Sequence, residues 1–141
     1  MTSVQSRTLF ERIGGMSAVN AAVDIFYQKV VADDRINVFF RHVRIETQAG
    51  KLKAFLAYAF GAPLKYDGKS LRAAHQHMHL QEVHFTAVAE CLVETLQELG
   101  VQKDLIDEVV NIMLTTKDDV LNRPHRAPQD ESTARQYIPV G

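Results

Sequence analysis

Between Ser17 and Val31 the apolar positions Val19, Ala22, Val23, Phe26, Tyr27 and Val30 recur at intervals of three and four, which draws a single stripe along a helix. Gly14 and Gly15 break the chain before it and set apart a short helical piece around Leu9 to Ile13. The pattern lapses at Asp33 and Asp34, and Phe39-Phe40 then falls in a short connection where two large rings need an apolar partner. A second helix is predicted from about Glu46 to Phe60. On it Gln48, Leu52, Phe55 and Ala59 share a face, with Lys51 beside them one turn before Phe55, so a glutamine and a lysine border the buried side.

Gly61-Ala62-Pro63 and Asp67-Gly68 cannot continue that helix and predict a loop. Ser70 is placed to cap a short helix running from Leu71 to about Met78. A long helix follows from Glu82 to Leu99, with Phe85, Val88, Ala89, Leu92, Leu96 and Leu99 inward and Gly100 as its terminator. The last helix is predicted from about Lys103 to Leu121, burying Leu105, Ile106, Val109, Ile112 and Met113. No alternating strand pattern occurs, so the fold class is all-α. Pro124, Pro128 and Pro139 among polar residues divide the chain into a domain over 1–122 and a loosely held tail over 123–141.

Composition narrows the function classes. Hydrophobic residues at 46% and charged residues at 23% describe an ordinary globular domain with a core of its own. Sixteen basic and seventeen acidic residues, interspersed along the chain, leave a net charge of -1 and argue against a nucleic-acid partner. The start, Met1 to Arg7, is polar, and no stretch approaches the roughly 18 to 20 apolar residues of a membrane span. The expectation is a cytoplasmic protein with no membrane association. A single cysteine, Cys91, rules out an internal disulfide, and its place in an apolar helical stripe predicts core packing.

Histidines stand at 42, 75, 77, 79, 84 and 125, three of them in the run His75-Gln76-His77-Met78-His79. On a helix 75 and 79 share a face while 77 points nearly opposite, so a three-histidine zinc site needs an extended strand, which the Ser70 cap argues against. Taken alone, each histidine reads as a surface or hydrogen-bonded side chain. His75 differs in context. Its short helix follows a Gly/Pro loop and comes after one helix carrying Tyr27 and another carrying Gln48 and Lys51, each otherwise apolar on that side. Apolar walls with a few convergent polar groups describe a cofactor pocket.

The strings Leu9-Phe10-Glu11-Arg12-Ile13-Gly14-Gly15, Phe26-Tyr27, Asp33-Asp34-Arg35-Ile36, Phe39-Phe40, Lys53 to Gly61, Leu71-Arg72-Ala73-Ala74-His75, His84-Phe85 and Asp119-Val120-Leu121-Asn122 stand in order at compatible spacings. In these the chain resembles group I truncated haemoglobins over roughly residues 8 to 122. The resemblance implies a two-over-two helical sandwich around non-covalent haem b, with His75 as the proximal iron ligand, since haem iron needs a strong neutral nitrogen donor. It implies Tyr27 and Gln48 as distal hydrogen-bond donors to a ligand such as dioxygen or nitric oxide. Phe39 or Phe40, Phe55, Tyr58 and Phe85 become apolar walls, and Lys65 and Arg72 become propionate partners. A core tyrosine bonded to backbone is the alternative for Tyr27.

Departures from the family pattern sharpen the reading. Where some relatives place a coordinating histidine on the distal helix this chain has Lys51, similar to a subset in which a lysine amine is the distal axial ligand. That amine must first lose its proton, at a cost of about 4 to 5 kcal/mol at neutral pH; the alternative is a side chain reaching past the haem edge to a propionate or solvent. Thr116 occupies the place where some relatives carry a histidine joined to a haem vinyl, so covalent attachment is not expected. The connection from His75 to His84-Phe85 is short, and His77 and His79 are expected to face solvent. The function implied is redox chemistry of diatomic ligands in a monomer, with nitric oxide oxidised by dioxygen to nitrate and an external electron donor or reductase restoring the iron. The alternatives are binding, storage or sensing of dioxygen or nitric oxide without turnover, and a helical interaction module without haem.

Overall fold

All six residues of the predicted stripe between Ser17 and Val31 are buried on one helix, α2, Gly15–Val31. The computed structural model describes residues 7–63 and 70–123. Around α2 lie α1 (Leu9–Arg12), α3 (Ile45–Ala59), α4 (Leu71–His75), α5 (Glu82–Glu98), α6 (Lys103–Thr115) and α7 (Lys117–Val120). Single 3-10 turns cover Asn37–Phe40, which holds the Phe39-Phe40 pair, and Gln76–Met78. No strand occurs among the described residues, and the class is all-α as the sequence predicts.

Two helix pairs make the body. α3 packs on α2, α6 packs on α5, and α2 and α5 meet between them. Val19, Val23 and Val30 of α2, Ile36 of the following turn, and Val109 of α6 are almost fully excluded from water. At about 1.5 to 3 kcal/mol for each large aliphatic or aromatic side chain fully buried, this shared core holds the two pairs together. Thr95, also buried, donates its hydroxyl to the Cys91 carbonyl at 2.8 Å, which removes the cost of enclosing it. Cys91 itself is buried, as its place in the stripe predicts.

α1 closes one end. The Thr8 hydroxyl accepts from the Glu11 N–H and the Glu11 carboxylate accepts from the Thr8 N–H, a reciprocal cap. Arg12 grips Glu108 of α6 with two hydrogen bonds of 2.7 and 2.9 Å, and the Phe10 N–H donates to the Phe60 carbonyl beyond α3. A glycine is required at position 61, where φ is +102° and a Cβ would come within 3.0 Å of Thr8.

Three local expectations change. The final helix is broken at Thr116 instead of running to Leu121. The Thr115 and Thr116 hydroxyls donate to the Ile112 and Met113 carbonyls at 2.6 and 2.7 Å, and such local bonding competes with the helical ladder. The short helix ends at His75 and tightens into the 3-10 turn, after which His79 takes a left-handed conformation with φ of 53°. The buried face of α5 is rotated from the predicted stripe. Ala87 and Thr95 join Phe85, Cys91, Leu92 and Leu96 inside, while Leu99 is 37% exposed because it caps the helix end.

Candidate functional site

His75 closes α4, and the chain fixes it from both ends of that helix. Ser70 accepts the Ala73 N–H at 3.1 Å and so starts the helix where the sequence places it. One turn before His75, the Leu71 carbonyl lies 2.7 Å from Nδ1. A carbonyl can only accept, so Nδ1 carries the proton and the Nε2 lone pair is left for a metal, the tautomer a histidine ligand requires. His77 and His79 are exposed. Since His79 lies beyond the helix end, the face that 75 and 79 would share on a continuous helix does not form.

Across the body, Tyr27 of α2 meets Gln48 of α3 and Phe40 of the 3-10 turn. Tyr27 is buried, edge-on to Phe26 with ring centroids 5.3 Å apart and to Phe40 at 5.8 Å. Its hydroxyl is hydrogen-bonded to Gln48 of α3. Burial pushes the phenol up to about 12, the Gln48 amide acting in the opposite sense, so the group remains a neutral O–H at physiological pH. Gln48 is half-buried and Lys51, three positions further on, is exposed. Lys53 turns toward α2, where its ammonium lies 3.8 Å from Asp24.

The apolar candidates divide. Phe85 is buried on α5, and the Lys117 ammonium stands 5.6 Å from its ring centroid. Phe39, Phe40 and Phe55 are half-buried, whereas Tyr58 is 37% exposed. Arg72, taken from the sequence as a propionate partner, reaches α7 and the chain just after it: Nε and Nη2 lie 3.2 and 3.1 Å from Asp119 Oδ1, and Nη2 is 2.7 Å from the Arg123 carbonyl. Lys65, His125 and the tail after Arg123 lie outside the described residues.

Sequence reasoning missed three features. The Leu71 carbonyl that orients His75 is backbone, visible only once α4 is known to be helical. His84 Nδ1 accepts the Gln81 N–H at 2.9 Å and its ring meets Phe39 edge-on at 4.9 Å, so it caps α5. Glu82 pairs with Lys117 at 2.8 Å and with Arg123, joining the start of α5 to α7 and to the chain just beyond it. Separately, an apolar cavity of about 130 Å³ lies between α2, α3 and α5, lined by Ala18, Val19, Leu56, Phe60, Leu92 and Leu96 among others. It contains none of the candidate site residues.

Comparison with known families matches residues 8–122 to the bacterial-like globins. The chain belongs to that family. This globin is 48% identical over 122 residues to the group 1 truncated hemoglobin GlbN of Synechocystis sp., a match covering 82% of this chain and 98% of the relative. It is 42% identical over 116 residues to the group 1 truncated hemoglobin of Tetrahymena thermophila, covering 82% and 96%. Among solved structures it is similar to the 2/2 hemoglobin of Synechococcus sp. PCC 7002, a cyanomet form with covalently attached heme. The TM-score is 0.80 and the identity 49%, over 83% of this chain and all of that one. The Fe(III) form of the truncated hemoglobin of Tetrahymena pyriformis gives a TM-score of 0.79 at 40% identity, over 82% and 98%.

Haem is accordingly the cofactor of this globin, and its own residues fit it. α4 presents an imidazole whose Nδ1 is already engaged, leaving Nε2 as a donor for iron. α3 is held chiefly by α2 and α4 chiefly by α7, so the helices carrying Gln48 and His75 are anchored to different parts of the body.

Proposed function

We propose that this globin binds diatomic ligands at a haem iron held by His75 and uses them for the dioxygenation of nitric oxide. The observation that carries the reading is the pair of preset polar groups: His75 with Nδ1 tied to Leu71, and buried Tyr27 hydrogen-bonded to Gln48. When bound, haem supplies an iron centre at which one nitric oxide and one dioxygen become nitrate, with one electron lost from the iron and returned by an external donor.

Each protein group has a defined part. His75 presents Nε2 and cannot swing while the Leu71 bond holds. Tyr27 supplies an O–H donor, which burial protects from ionisation in alkaline solution as well, and Gln48 adds an amide donor. Both would serve a bound ligand on which negative charge develops, where a preset donor is worth more than mobile water. Phe40, Phe55 and Phe85 supply apolar surface for the porphyrin, with Tyr58 contributing from a more exposed position. Lys51 serves as a displaceable sixth ligand. Its side chain is exposed on α3, three positions beyond Gln48. The haem is held without a vinyl bond, since position 116 is a threonine whose hydroxyl is bound to Met113.

Rapid mixing tests the activity. The haem-loaded protein, reduced and equilibrated with air, is mixed with nitric oxide. The predicted result is one nitrate per iron with the ferric spectrum, and return to the ferrous state with a cellular reductase. Tyr27→Phe should release dioxygen about tenfold faster, the equivalent of one hydrogen bond of about 1.4 kcal/mol. Re-reduction too slow to sustain turnover would contradict the enzymatic reading and leave ligand binding alone.

A further inference from the structure

Resting on the assignment of haem to His75, we propose that Arg72 is the positioning residue of the iron ligand, acting through α7 and not through the haem propionates. α4 has only five residues and none of them is fully buried. A helix this short has little stability of its own, and apolar packing does not fix its direction. The Ser70 cap holds its first turn. Arg72 is three residues before His75 and therefore lies close to the same side of the helix.

The guanidinium is engaged by α7 and by the chain just beyond it. It places Nε and Nη2 on Asp119 at 3.2 and 3.1 Å, and Nη2 on the Arg123 carbonyl at 2.7 Å. The far end is fixed as well. The Arg123 guanidinium and the Lys117 ammonium both pair with Glu82 in the first turn of α5, and Lys117 also stands over Phe85. A continuous polar path thus runs from the helix bearing His75, through α7, to the helix bearing the buried Phe85. The Arg72 and Asp119 side chains are 34% and 38% exposed, a setting in which an ion pair adds little to stability by itself. Its consequence is directional, because a planar fork meeting a carboxylate and a carbonyl together fixes the helix more tightly than one ammonium contact would.

The test uses the haem-loaded protein in a Lys51→Ala background, so that a sixth ligand does not mask the iron–histidine bond. Resonance Raman of the ferrous form and haem transfer to an excess of a scavenging apoglobin are recorded for Arg72→Ala, Asp119→Ala, the double variant and Arg72→Lys. Each alanine variant should lower the iron–histidine stretching frequency and speed haem loss about tenfold, as expected when the support of a metal ligand is removed. The double variant should go no further than either single one, since both cut the same path; Arg72→Lys should recover only part. Wild-type protein carrying haem dimethyl ester should keep the native frequency. The proposal is overturned if the ester reproduces Arg72→Ala while Asp119→Ala is silent, which would place the arginine on the propionates. It is equally overturned if the variants lower the melting temperature with no change in the stretching frequency. Failure of the wild-type chain to bind haem at all would overturn the haem assignment first, an outcome distinct from both.

Discussion

At the scale of the residue, Lys51 and Lys53 stand two positions apart on α3 in different surroundings. Lys53 is spoken for by Asp24 across α2, whereas Lys51 is exposed beside the face that carries Gln48. Releasing the Lys51 proton opposes ligation, and ferric iron, with its greater positive charge, offsets that cost better than ferrous iron does. The ferric protein should therefore be low-spin near neutral pH and turn high-spin or water-bound in Lys51→Ala, with the optical spectrum against pH as the measurement. An unchanged spectrum in the variant would leave the lysine outside the coordination sphere.

Tyr27 belongs to the same scale. Its stripe position announces burial, and burial raises its hydroxyl further above the ordinary phenol value, so that it stays an O–H even in alkaline solution. Either role weighed from the sequence, core packing or distal donor, required the same inward position. We propose the second on the strength of the Gln48 contact, which depends on α2 and α3 packing together and which no single stripe displays.

At the scale of the element, α4 depends most on local chemistry. Ser70→Ala should weaken its first turn by about 1 kcal/mol and speed haem loss about fivefold, measured by transfer to a scavenging apoglobin. Unchanged haem retention would mean that the cap does not support His75. The cap was legible because a serine before an apolar residue has a known partner three positions on. The end of α4 was not, because the shift to a 3-10 turn after His75 carries no breaker residue to mark it. The break at Thr116 was legible only in hindsight, since two adjacent threonines disturb a helix when their hydroxyls turn back to the ladder. α2, with its complete six-residue stripe, is the opposite case: burial and periodicity coincide, so pattern alone suffices.

At the scale of the molecule, the two pairs α2–α3 and α5–α6 follow from apolar stripes, whereas the site is assembled from what lies at their margins. Its candidate residues were visible because a phenol stood within one apolar stripe, an amide bordered the next, and an imidazole followed on a short capped helix. The polar path from Arg72 to Glu82 was hidden, because it joins residues 35 to 51 positions apart that have no shared period.

The most direct test of the whole account is haemin titration of the haem-free chain beside His75→Gly, followed by Soret absorption and thermal unfolding. A ligand bound only by the folded state raises stability by mass action. The wild type should take one haem per chain with a sharp Soret band and a higher melting temperature; His75→Gly should lose the ferrous histidine signature and regain it with free imidazole. If His75→Gly binds haem with the wild-type ferrous spectrum and the same gain in melting temperature, His75 is not the iron ligand and the site described here is wrong.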